Sequence, residues 1–141
     1  MRKARELVEF QGISHIDLTV SDAKRSADWY ERVLGLKKLK SAVMDGRIVE
    51  MLAHRPTRMI VGLVQHPQPQ ASHFDERVPG LDHLGFSVSS REELNQWQAH
   101  LENEGVEHSP ITDAPSGSGT ALVFRDPDNI QLEIWWTNTS K

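Results

Sequence analysis

The chain has 141 residues, 38% of them apolar, which suits one ordinary domain or two small fused modules around a single core. Its 16 basic and 20 acidic residues give a net charge of −4, arguing against a nucleic-acid or anionic-membrane binder. The absence of cysteine excludes disulfides, thiolate metal sites and a cysteine nucleophile, so any metal site must use His, Asp or Glu.

Residues 1–10 are expected to form an added helix or a loose arm. Met1–Leu7 carries charges with no apolar stretch behind it, unlike a secretory signal. No apolar run approaches the ~20 residues of a membrane span, so the expected location is the cytoplasm, with no membrane partner. From Gly12 the pattern becomes regular. His15, Asp17 and Thr19 alternate with Ile16, Leu18 and Val20, which predicts a strand with its polar residues on one face. Ser21 or Asp22 can cap a helix whose apolar stripe is Ala23, Ala27, Tyr30 and Leu34, with Gly35 at the C′ position. A short strand can follow in Lys37–Ala42. Strands at Ile48–Ala53 and Met59–Val64 flank a turn at Arg55–Arg58.

Residues 67–79 read as a linker. The pattern then repeats. At an offset of 68, Gly12, His15, Val20, Ser21 and Trp29 meet Gly80, His83, Val88, Ser89 and Trp97. A helix follows a capping box at Ser90–Glu93, with Leu94, Trp97 and Leu101 as its stripe. A short strand is expected in Val106–Ile111, and a glycine-bearing loop at 115–119 can close over a cavity. Ala121–Arg125 and Ile130–Trp136 flank the turn Asp126–Asn129. Each unit is thus β-α-β-β with a further short strand, residues 12–66 and 80–137, giving an α+β fold.

The repeat gathers polar groups on one face. His15 and His83 start equivalent strands, and Glu133 alternates with Leu132, Ile134 and Trp136, so its carboxylate faces the side of the histidines. Two imidazoles and one carboxylate can hold a divalent metal ion and leave positions open for water or substrate. Aligning Pro56 with Pro127 pairs Glu50 with Ala121, which turns Glu50, Leu52 and His54 toward the cavity. Glu50 is then a candidate general base, or a glutamate at an open rim. Asp17 shares the face of His15 and can orient a ligand or bind substrate. Trp135 shares the face of Glu133 and can stack on an aromatic substrate.

Three segments carry a resemblance: Ile13–Val20 with Ser26–Gly35, then Leu81–Val88, then Phe124–Ile134. Together they resemble the vicinal oxygen chelate superfamily, which includes glyoxalase I, extradiol dioxygenases, fosfomycin thiol transferases and bleomycin-binding proteins. The resemblance spans residues 12–137. It implies paired βαβββ modules whose curved mixed sheets surround a small-molecule cavity, and His15, His83 and Glu133 as metal ligands. The metal would be iron, manganese, nickel or zinc. Glyoxalase I takes a fourth ligand from the last strand of the first module, where this chain has Gly62. The implied activity is that of a metal-dependent lyase, isomerase or dioxygenase acting on a small oxygen-bearing molecule. The alternative is sequestration of a drug or metabolite without chemistry. Such two-module chains commonly form homodimers that share their cavities, and a homodimer is expected.

Overall fold

The computed structural model describes residues 8–68 and 73–139. The segment expected to be a helix or arm therefore lies mostly outside the described residues, as do residues 69–72 of the linker. The first module contains β1 (Ile16–Thr19), α1 (Ala23–Leu34), β2 (Lys37–Met44), β3 (Arg47–His54) and β4 (Met59–Gln65). The second contains β5 (Leu84–Val88), α2 (Arg91–Asn103), β6 (Thr112–Asp113), β7 (Gly119–Arg125) and β8 (Gln131–Thr137). Their sheets run β1-β4-β3-β2 and β5-β8-β7-β6. In each, the first strand lies parallel to the last and the remaining pairs are antiparallel. Among the described residues, no helix is long and apolar enough to cross a membrane.

The helix ends follow their local chemistry. Asp22 caps α1 by accepting a 3.0 Å bond from the Arg25 amide, and Gly35 ends it in the left-handed region at φ 70°. In α2, Ser90 Oγ accepts from the Glu93 amide. Glu93 reaches back one residue beyond the cap, to Ser89 N and Oγ.

One expected strand differs. Val106–Ile111 contributes only an isolated bridge from His108 to Phe124, and the ladder resumes at Thr112. Pro110 lacks the amide that a ladder needs, and Ser109 Oγ takes the Val123 amide instead. In the first module the matching strand has no proline and runs the full eight residues of β2.

Residues paired directly across a ladder share a face. Leu18 pairs Leu63 and Leu52 pairs Val61 in the first sheet; Leu122 pairs Ile134 and Phe124 pairs Leu132 in the second. All eight are buried in one continuous core with the stripes of both helices. Burying side chains of this size stabilises the fold by about 1.5–3 kcal/mol each. The opposite face of each sheet carries the polar residues and is termed the open face below. The modules are joined through α1. The Tyr30 hydroxyl donates to Asp126 at 2.9 Å, the Ser21 amide donates to Asp128 at 3.0 Å, and the rings of Trp29 and Phe124 lie 6.3 Å apart.

Candidate metal centre

On the second open face, Glu133 pairs with Gly85 and lies beside His83. Gly85 has no side chain, so the carboxylate leans across it toward β5; a Cβ there would stand 3.0 Å from Glu133 Oε1. His83 Nε2 lies 3.4 Å from that same oxygen. The other ring nitrogen, Nδ1, is 2.6 Å from Asp82 Oδ1. The imidazole is thus fixed from behind by one carboxylate and aimed at another. Its pKa is raised, chiefly by the hydrogen bond to Asp82; burial opposes the rise, and the charges of Glu133 and Asp82 add to it.

The first module repeats half of this arrangement. His15 Nδ1 is 2.9 Å from Ser14 Oγ, and Ser14 stands where the second module has Asp82. Both histidines therefore have Nδ1 engaged by the preceding residue, which leaves Nε2 for a ligand role. A carboxylate or hydroxyl behind the ring is the usual support of a metal-binding imidazole. Polar residues immediately before both histidines were the sequence signal for this support, and reading only the alternation passes over it.

The acid of the first open face is Asp17, on β1 and paired with Gly62. A Cβ on Gly62 would overlap Asp17 Oδ1 and stand 2.8 Å from its Cγ. The glycine and the acid have exchanged strands between modules: Asp17 with Gly62 in the first, Gly85 with Glu133 in the second. Among the described residues of one chain, no three His, Asp or Glu side chains lie close enough to hold a metal ion. The structure brings His83 and Glu133 together and leaves His15 apart from them.

Glu50 does not face the cavity. It pairs with Leu63, which is fully buried in the core, so it lies on the helix side of its sheet with Leu52. It is 7% exposed, and its Oε1 accepts a 2.7 Å bond from Ser41. The expected orientation fails because the two turns differ in length. The matching core rungs Leu52–Val61 and Phe124–Leu132 enclose residues 53–60 in the first module and 125–131 in the second, so the first connection is longer by one residue. The additional residue shifts the preceding strand by one place, so Glu50 corresponds to Leu122 rather than Ala121, and a shift of one inverts every side chain.

Trp135 lies on the open face as expected. Its ring covers Gly119, where a Cβ would overlap the indole, and its Nε1 donates to Thr137 at 2.9 Å. Arg125 lies on the same face and grips Glu76 at 2.8 and 3.0 Å, which ties the linker to β7. That grip holds the Glu76 carboxyl down at about 2. A concavity of about 820 Å³ lies elsewhere, lined by Thr19, Ser21, His66, Phe74, Val78 and Leu81; none of the three expected metal ligands borders it.

Known proteins share this fold. A family model for the Glyoxalase/Bleomycin resistance protein/Dioxygenase superfamily matches residues 12–134. The chain is 34% identical to a crystallised glyoxylase/bleomycin resistance protein/dioxygenase domain from Frankia sp. EAN1pec, covering 94% of this chain and 96% of that one, with a TM-score of 0.84. It is 28% identical to the putative ring-cleaving dioxygenase MhqA of Bacillus subtilis over 90% of this chain, but spans only 40% of that relative's length. The fosfomycin resistance protein FosX of Listeria monocytogenes, solved with Mn(II) and sulfate, shares the fold at 18% identity and a TM-score of 0.68, covering 94% of this chain and 97% of that one. With both βαβββ modules in place and a family match over most of its length, this chain belongs to the Glyoxalase/Bleomycin resistance protein/Dioxygenase superfamily.

Proposed function

We propose that two copies of this chain build metal centres between them, His15 of one copy joining His83 and Glu133 of the other, and that each centre acts on a small oxygen-bearing molecule. The observation that carries this reading is the His83–Glu133 pair at 3.4 Å, with His83 fixed from behind by Asp82. The donor set fits a divalent ion: two neutral imidazole nitrogens with their second nitrogens engaged, and one carboxylate. Completion by a second copy accounts for the separation of His15 from the pair within one chain. Exposed apolar residues suit such an assembly. Phe10 and Ile13 precede β1, and Val43 lies on the edge strand β2; a partner would cover them.

A bound divalent ion would supply Lewis acidity and open positions for two neighbouring substrate oxygens. The protein's own groups do the rest. Asp82 and Ser14 hold the imidazoles in the orientation that presents Nε2. Glu133 brings negative charge to the ion. Trp135 and Val123, beside Glu133 on the open face, pack against the body of the substrate and exclude water from it. Asp17 and Trp135 are the substrate-binding groups in this reading. The Mn(II) complex of FosX and the dioxygenase relative support a metal-dependent lyase, isomerase or dioxygenase, with iron, manganese, nickel or zinc as the ion. We place the chain in the cytoplasm.

Elemental analysis of the purified protein tests the centre. The expected content is about one ion per chain in the wild type. It should fall about tenfold or more in each of His15→Ala, His83→Ala and Glu133→Ala. Unchanged content in all three variants rejects the centre.

A further inference from the structure

We propose that Asp17 makes this site selective for uncharged ligands that carry a hydroxyl hydrogen beside the chelating oxygen, and closes it to oxyanions such as phosphonates. The inference deepens the reading above and rests on its metal centre.

Asp17 and Glu133 belong to equivalent rungs of the two sheets, each formed by one acid and one glycine on the open face. The carboxylate lies over the glycine in both, so a rung has room for one acid. The second module's rung supplies its acid to His83. The first module's rung lies two residues beyond His15 on the same face, so Asp17 borders whatever binds next to an ion held by His15. Among the described residues Asp17 has no hydrogen-bond or ion-pair partner, whereas Glu133 has His83. An ionised carboxylate can only accept hydrogen bonds. It therefore favours a ligand that brings an O–H and repels one that brings a second negative charge.

Among the described residues, the open faces offer no free cation near Asp17 to offset that repulsion. Arg125 is occupied by Glu76, by Gln131 Oε1 at 3.0 Å and by the Asn129 carbonyl at 3.0 Å. Arg47 is paired with Asp45 at the far end of its hairpin. Lys37 and Lys40, on the open face of β2, lie three strands from Asp17, about 14 Å across the sheet at the usual strand spacing. Much of the open surface is apolar: Val49 and Met51 in the first module, and Ala121, Val123 and Trp135 in the second. An uncharged apolar body with a hydroxyl beside its chelating oxygen matches these walls.

The test uses the full chain loaded with Mn(II), and calorimetric titration with catechol and with phenylphosphonate. The wild type should bind catechol at least tenfold more tightly. In Asp17→Asn, catechol should weaken about tenfold and phenylphosphonate should tighten by a similar factor. Asp17→Ser is the second variant, with the same expected direction, should the amide disturb the rung. Equal wild-type affinities, binding of neither probe, or a preference unchanged in both variants overturns the role of Asp17. Manganese content is measured on the same samples. A wild type that retains no manganese overturns the metal centre, and the inference with it; a full complement with an unchanged preference overturns the inference alone.

Discussion

Tyr30, in the helix of the first module, donates a 2.9 Å hydrogen bond to Asp126, in the last turn of the second. Tyr30 is fully buried and Asp126 is 6% exposed, so this contact crosses the junction of the modules away from solvent. Asp126 spends its other oxygen on the amides of Asp128 and Ile130, at 2.9 and 2.8 Å. Removing the hydroxyl in Tyr30→Phe leaves Asp126 Oδ2 buried without its donor. The expected loss is about 1–3 kcal/mol in urea denaturation, with the aromatic packing on Trp29 retained.

The same acid sets a pH dependence. Burial raises the pKa of Asp126 above its ordinary 3.8, partly opposed by its backbone and Tyr30 hydrogen bonds. With the folded value above the unfolded one, its contribution to stability is fully present below the unfolded pKa. It is lost as pH rises through the folded pKa. Relative to Asp126→Asn, the wild type should therefore gain stability as pH is lowered from 7 toward 4 in parallel denaturation series. A difference that is flat or runs the other way counts against the assignment. The Arg125-bound Glu76 behaves oppositely, because its pKa is lowered; its contribution is present above about 4.5 and is lost as pH falls toward about 2.

Ser26 is fully buried on the core side of α1, and its hydroxyl has no hydrogen-bond partner among the described residues. Ser26→Ala removes an unsatisfied polar atom and improves helix propensity. It should raise stability by about 1 kcal/mol, seen as a higher denaturant midpoint with an unchanged slope.

Glu50→Gln should leave metal content within about twofold of wild type, because the residue lies on the helix side and not with the candidate ligands. Elemental analysis against wild type checks this, and a tenfold loss would return Glu50 to the centre.

A shared centre predicts rescue on mixing. His15→Ala and Glu133→Ala should each lose their metal as separate proteins. Refolded together in equal amounts, half of the dimers are mixed and one of their two sites is intact. Metal content should recover to about a quarter of wild type. Absence of recovery in verified mixed dimers would place each site within one chain.

The parts of the fold legible in the sequence were those written in local pattern. Alternation around His15 and His83, the caps Asp22 and Ser90, and Gly35 each specify their own element through nearby atoms. The face of Glu133 was legible too, because three large apolar neighbours in β8 leave it one side of the sheet. Glu50 was not, because its face depends on the length of a turn beyond its own strand, and proline made two unequal turns look alike. The Asp17–Gly62 rung was illegible for a related reason. A glycine emptied by the acid beside it leaves no mark in the sequence except the glycine itself, and its strand register is a property of two distant segments. The Tyr30–Asp126 contact joins residues from different modules, and periodicity is silent on that.

The unequal turns also bear on how such a chain can change. In a protein built from two copies of one unit, a residue added between two strands leaves the later strand where it was and turns the earlier one over. Deleting one residue from 126–130 would accordingly send Leu122 and Phe124 outward and Ala121 and Val123 inward, emptying the core beside Trp29 while bringing Leu122 opposite Glu133 and Phe124 opposite Gln131.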